Sequence, residues 1–323
     1  VHVLTRGGWR LLLAGVVCLL ALMLAGCATQ TQALLQGAAS GLPRRTELSS
    51  TPFHPQERYQ CGPATLAMSL NAAGISIGPD ALVAQVYVPE REGSLPPEML
   101  AAARRNGALG MAIPPRLDAL LAEIAAGNPV IVLQNLSLPL FPLWHYALAI
   151  GYDLDSADII LRSGTTERLV MPMSTFEHTW ARSGYWAMVA LSPDRLPVTA
   201  SESQAVDALV AFEKSSSTDR SRKAYEHALG RWPRNPILQM GLGNTAYAAG
   251  DLGAAAAAFR RVTEEHPGNA AAFNNLATVL AEMGDLDGAT EAAECAVAIG
   301  GPWRAAAQAT LESVRAERQR RRR

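Results

Sequence analysis

Cysteine is scarce in this chain, with four in 323 residues, too few and too scattered for the disulfide framework of a small exported domain. No grouping of Cys, His and Asp has the spacing of a metal site, and no glycine-rich phosphate loop is present. The sequence therefore implies no metal and no organic cofactor. Charged residues make up only 18% and nearly cancel, to a formal net charge of −1. That balance lacks the overall basic character that would favour nucleic acid as a partner. The one long apolar run, Leu11 to Leu24, is too short for a comfortable bilayer span.

What is present at the N-terminus has the shape of an export signal. Arg6 and Arg10 form a basic region ahead of the apolar run. The run closes with Leu24-Ala25-Gly26-Cys27, which resembles the bacterial lipobox. The resemblance implies removal of residues 1–26 as a lipoprotein signal peptide and a lipid on Cys27. Ala28, rather than an aspartate, follows, which implies an outer-membrane lipoprotein facing the periplasm of a Gram-negative bacterium. Residues 27–50, rich in Ser, Thr, Gln and Gly, then read as a flexible tether.

From 51 to 195 the pattern is mixed. Helices are predicted over 62–73, 79–86, 96–105 and 116–126, the third entered through Pro96-Pro97 and stopped at Gly107. Strand-type runs follow at 129–133, 146–152, 158–161, 168–171 and 185–191. Ser174 and Glu177 are spaced as a capping box for a short helix before the last strand. Helices first and an antiparallel sheet afterwards describe an α+β domain.

Residues 196–204, rich in Pro and Ser, read as a linker to an all-α domain over 205–318, with a basic tail at 319–323 that reads as a solvated helix end. The helical part repeats. Pro233 recurs as Pro267, and Gly250-Asp251 as Gly284-Asp285, each after 34 residues. Leu242-Gly243, Ala255, Phe259 and Pro267 fit one unit of that length, Leu276-Ala277, Ala289 and Ala293 the next, and Phe212, Tyr225, Ala228 and Pro233 a degenerate earlier one. This resembles the tetratricopeptide repeat, a helix–turn–helix unit. The resemblance implies protein-partner binding, and so few repeats predict docking on the preceding domain.

Chemistry concentrates at Cys61. Cys18 and Cys27 belong to the export signal and lipid attachment, and Cys295 lies in an Ala-rich helix as a small side chain. Cys61 opens the run Cys61-Gly62-Pro63-Ala64 at a turn-to-helix junction, with Pro63 in the first turn and Gly74 suited to end the helix. A thiol there feels the positive end of the helix dipole, which favours the nucleophilic thiolate. Among the histidines, His227 and His266 fall in the repeats, His178 in the short helix, and His54 lies too close in sequence to fold back easily. His145 opens a strand beside Trp144 with no charge until Asp153, and is the candidate base.

Gln56, then Cys61-Gly62-Pro63-Ala64, then His145-Tyr146 and Gly151-Tyr152-Asp153 together resemble the papain-fold cysteine peptidases of the bacteriocin-processing, double-glycine-leader type. The resemblance covers about residues 51–195. It implies a papain-like α+β fold, Cys61 as nucleophile, His145 as general base and acid, and a glutamine in the oxyanion hole. Gln56 fits that role best, one residue closer to the cysteine than is usual in the family, with Gln60 the alternative. The substrate is then a peptide or protein.

The third member departs from the family. Asp153, Asp155 and Asp158 flank the turn of a predicted hairpin; reflecting about residue 154 sets His145 opposite Ser163 and leaves Asp153 roughly 25 Å down the strand. Ser163 stands where the family has Asp or Asn, and carries no charge to stabilise an imidazolium. Gln134 and Asn135 are further candidates from the preceding strand. Two alternatives to a peptidase remain open on the sequence: a non-catalytic peptide-binding lipoprotein, and a thiol-dependent amidase or transamidase.

Overall fold

The computed structural model describes residues 28–38, 41–55 and 60–323; residues 1–27 and Gln56 lie outside the described residues. The strands are β1 (Arg45–Glu47), β2 (Tyr87–Val88), β3 (Gly93–Ser94), β4 (Leu109–Ala112), β5 (Val130–Asn135), β6 (Trp144–Asp153), β7 (Asp158–Ser163), β8 (Thr166–Pro172) and β9 (Ala187–Leu191). The helices of the same half are α1 (Thr29–Ala33), α2 (Cys61–Ala72), α3 (Asp80–Val86), α4 (Pro96–Arg105), α5 (Leu117–Ala125) and α6 (Met173–Ala181). Seven strands form one antiparallel sheet in the order β4-β9-β5-β6-β7-β8, with β1 beside the C-terminal half of β6, and β2 and β3 form a separate hairpin. The α+β expectation holds.

The sheet separates two apolar layers. On one face Tyr146, Leu148 and Ile150 of β6 meet Leu66, Met68 and Leu70 of α2. On the other, Ala147 and Ala149 share a core with Leu120 and Ile124 of α5 and Phe176 and Trp180 of α6. α2 is buried on every side, with each residue from Gly62 to Leu70 inaccessible, so it is a central helix rather than a one-sided amphipathic one. Gly74, at φ +81°, ends it as its sequence predicts. β4 escaped the sequence reading because four residues, Leu-Gly-Met-Ala, carry no alternation; its pairing with β9 creates it.

The described part of the expected tether is packed. β1 pairs with β6 in the register Arg45↔Asp153, and Arg45 also reaches the Asp153 carboxylate. In α1 the backbone N–H groups of Gln30 and Thr31 donate to the two oxygens of Glu177, at 2.9 and 2.7 Å. Glu177 is 1% exposed. It therefore supplies acceptors for the unpaired N–H groups at the start of α1 and makes no capping box. Pro172 holds the N-cap position of α6 without a side-chain bond, and Ser174 lies inside the helix.

The helical half comprises α7 (Glu202–Glu213), α8 (Thr218–Arg231), α9 (Pro236–Ala248), α10 (Leu252–Glu265), α11 (Ala270–Glu282), α12 (Leu286–Ile299) and α13 (Arg304–Arg321). α7, α9 and α11 start 34 residues apart, as do α8, α10 and α12. The recurring Gly-Asp has a local cause. Gly250 and Gly284 take positive φ at the helix ends, and Asp251 and Asp285 accept the N–H of Ala254 and Gly288. A Cβ on Gly243 would meet the Phe259 ring at 2.4 Å, so glycine permits that helix crossing. The linker, too, is anchored: Glu123, fully buried, accepts from the Thr199 N–H and hydroxyl at 2.8 and 2.6 Å. Ala205, Val206, Leu209 and Phe212 of α7 join the core of the sheet's far face, which is the docking that so short a repeat array needs.

Candidate active site

Cys61 is the first residue of α2 and Gln60 is its N-cap. β5 flanks Tyr146 of β6 on one side, in the pair Leu133↔Tyr146, but β7 ends at Ser163, so the other side of the Tyr146 backbone has no strand beside it. Its groups face the helix instead: the C=O accepts from the Thr65 hydroxyl at 3.3 Å, and the N–H favours the Cys61 thiolate. The start of α2 is thus joined to the residue next to His145. The N–H groups of Gly62 and of Cys61 itself also favour the thiolate. A Cβ on Gly62 would meet the Ser94 Oγ at 2.1 Å, so glycine lets the β2–β3 hairpin close over the helix start.

His145 Nε2 lies 2.8 Å from Ser163 Oγ. The contact joins the two residues that the reflected hairpin set opposite each other, but the strands pair in another register. β6 and β7 pair as Asp153↔Asp158, Tyr152↔Ile159 and Gly151↔Ile160, then shift at a bulge to Ala149↔Leu161 and Leu148↔Arg162. Ser163 therefore continues opposite Ala147, and His145 reaches it diagonally along one face. Without the bulge, Ser163 would fall opposite Leu148 and point to the other face. The bulge brings the hydroxyl to the imidazole.

With Nε2 engaged, Nδ1 is the ring nitrogen left to take a proton from the thiol. No hydrogen bond joins Cys61 to His145 among the described residues. Burial pushes the Cys61 thiol up, against the opposing pull of the three backbone N–H groups, and burial alone pushes His145 down. Both shifts favour neutral forms. Burial thus works against the helix-dipole effect expected from sequence.

The other candidates sort clearly. Asp153 and Asp155 are held by Arg45 and Arg44, away from the imidazole. Gln134 pairs across from His145 but donates to Thr179 Oγ1 at 2.7 Å. Asn135 Oδ1 accepts the N–H groups of Ser137 and Leu143, and so shapes a loop. Gln60 makes no capping bond through its side chain, and Gln56 lies outside the described residues. His54 bonds Asn71 at 2.9 Å, and His266 meets the Arg234 carbonyl.

The sequence reading passed over Arg162, 4% exposed, which donates to the carbonyls of Ser49 and Thr51 on the segment leading toward Cys61 and to that of Glu167. A lone arginine closing the apolar run Ile159-Ile160-Leu161 was the available signal.

Cys61, His145 and Tyr146 line one cleft of about 690 Å³, walled by Arg91–Pro96 on one side and by Leu133, Leu136, Pro142, Leu143 and Trp144 on the other. A thiol, an imidazole with one ring nitrogen held by a hydroxyl, and a cleft of ligand size thus share one site.

Residues 48–188 match the Peptidase_C39 like family. Residues 207–270 and 240–302 of the helical half match the tetratricopeptide repeat. Among solved structures, a C39-like peptidase from Bacillus anthracis is 18% identical, spanning 46% of this chain and 98% of that one, with a TM-score of 0.39. A tetratricopeptide domain of Sgt2 from Aspergillus fumigatus is 22% identical over 36% of this chain and 79% of its own, with a TM-score of 0.34. The translocator chaperone SycD of Yersinia enterocolitica is 15% identical over 36% and 85%, with a TM-score of 0.34. No curated protein matches the chain. The C39-like domain is thus followed by a helical repeat region, as the sequence suggested.

Proposed function

We propose that the C39-like domain is a cysteine peptidase that hydrolyses peptide bonds through an acyl-enzyme on Cys61, while the repeats bind a protein partner. The observation that carries this reading is the shared cleft of Cys61 and His145, with Nε2 of the imidazole held by Ser163. Cys61 Sγ attacks the scissile carbonyl carbon as its proton passes to Nδ1 of His145. The C–N bond then breaks and the same proton goes to the leaving amine. Water, deprotonated by His145, next attacks the thioester and frees the thiol. The Cys61 N–H and the side-chain amide of Gln56 or Gln60 are the donors assigned to the oxyanion; loss of one such donor costs roughly 3 kcal/mol of transition-state stabilisation. Lipidation at Cys27 would hold this domain at the periplasmic face of the outer membrane.

A second reading is favoured by the uncharged Ser163 and by burial that favours the neutral forms of Cys61 and His145: a cleft that holds peptide without turnover. A peptide-library cleavage assay, with wild type against Cys61→Ala and His145→Ala, separates the two. Cleavage lost in both variants supports the peptidase. Tight peptide binding without product, unchanged by Cys61→Ser, supports the holding role. Product masses about one dalton above substrate, or joined chains, would instead mark deamidation or transamidation.

A further inference from the structure

We propose that the cleft selects an extended peptide with bulky apolar side chains beside the scissile bond, rather than paired glycines; this rests on the peptidase reading of the same site. The loop from Leu136 to Leu143 contains four leucines, a phenylalanine and two prolines, and no charge. Four large apolar side chains around the cleft remain uncovered: Leu95 at 40%, Leu136 at 45%, Leu143 at 60% and Trp144 at 50% exposure. Exposed apolar groups gathered at one cleft mark a binding surface, whereas scattered ones do not.

The loop is held in place. Asn135 Oδ1 accepts from Ser137 and Leu143, Leu136 N–H donates to the Leu143 carbonyl at 2.9 Å, and Arg182 donates to the carbonyls of Asn135 and Ser137. Pro139 and Pro142 stiffen it further. An apolar wall fixed before binding loses little entropy when a ligand covers it. The charged lining residues, Arg91 and Glu92, have opposite signs and give no net preference for charge. A Gly-Gly sequence would leave all four side chains wet. Leu138, Leu140 and Phe141, at 64–85% exposure, lie at the loop tip outside the cleft and serve as an internal control.

The test measures fluorescence anisotropy with the full chain carrying Cys61→Ser, so that no peptide is consumed. The probes are labelled peptides differing only at the two central residues: Leu-Phe, Gly-Gly or Asp-Ser. Leu-Phe is expected to bind at least about tenfold tighter than Gly-Gly, the discrimination an apolar pocket commonly gives. Leu143→Asp and Leu136→Asp should erase that preference, while Leu140→Asp preserves it; unchanged melting temperatures show the variants are folded. Equal or tighter binding of Gly-Gly overturns the proposal. So does retention of selectivity in Leu143→Asp, or a loop whose substitutions abolish association with phosphatidylethanolamine–phosphatidylglycerol vesicles and leave peptide selectivity intact. With the wild-type thiol restored, cleavage without apolar preference defeats this proposal alone. Selective binding without cleavage defeats the peptidase reading alone.

Discussion

At the residue scale the account turns on three side chains and one backbone group. The Tyr146 N–H favours the Cys61 thiolate, and Ser163 Oγ lies 2.8 Å from the neighbouring imidazole. A hydroxyl holds the ring without stabilising its charged form, and burial depresses that form further. The proposed mechanism needs a neutral His145, so the activity it predicts rises as pH passes upward through the imidazole pKa. The acid limb of kcat/KM should lie below the ordinary value of 6.5. Alkylation of Cys61 by iodoacetamide should rise with pH through a midpoint above the ordinary thiol value of 9.0. Ser163→Asp should move the acid limb to higher pH and raise kcat, because a carboxylate favours the imidazolium. Ser163→Ala should lower kcat about five- to tenfold, the loss of one neutral hydrogen bond of about 1 kcal/mol. A pH profile of each variant checks both.

Ser163 was legible in the sequence for an incomplete reason. A hairpin reflected about residue 154 names it as the partner of His145, but the true pairing is Asp153↔Asp158 with a bulge between Ala149 and Gly151. Two displacements in opposite senses left the face of the serine unchanged. The available signal in the run Leu148-Ala149-Ile150-Gly151 was Gly151, since a glycine inside a strand marks a bulge or a close backbone approach, and both occur there. Sequence placed the Cys61 thiol on the helix end but carried no measure of how deeply that end is buried, and burial pushes the thiol up.

At the scale of elements, contacts made across the fold overrule local signals. Ser174 and Glu177 have capping-box spacing, yet Glu177 serves the start of α1, some 146 residues earlier in the chain. Glu177→Ala leaves two N–H groups without acceptors and should destabilise the domain by about 1–3 kcal/mol, read by chemical denaturation. It should also open residues 28–38 to limited proteolysis. Gly62→Ala places a Cβ against Ser94; the hairpin must shift, at a cost of about 1–3 kcal/mol and with reduced alkylation selectivity for Cys61. The repeat helices, by contrast, were legible because their Gly-Asp and Pro signals act within a few residues of themselves.

At the scale of the molecule the two halves share a core. Val206, Leu209 and Phe212 of α7 pack with Leu109, Met111 and Leu191 of the sheet layer, and Glu123 fixes the linker. Composition alone read residues 196–204 as a linker because Pro and Ser are common there, while burial of Leu196 and Ala200 depends on the surface they meet. Phe212→Ala should cost about 3–5 kcal/mol and should lower the melting of both halves together, since it opens a cavity in their common core. Two separate transitions would show that the halves fold independently. On the proposed function, a partner bound by the repeats would sit on a body that shares a core with the C39-like domain.

The central claim is that Cys61 forms an acyl-enzyme with His145 as its base. Intact-mass spectrometry of the full chain, quenched with acid during turnover of a peptide library, tests it most directly. The expected result is a peptidyl adduct mapped to Cys61, accompanied by free C-terminal fragments and absent from folded His145→Ala. Folded wild-type protein that forms no adduct and releases no fragment from any peptide would contradict it.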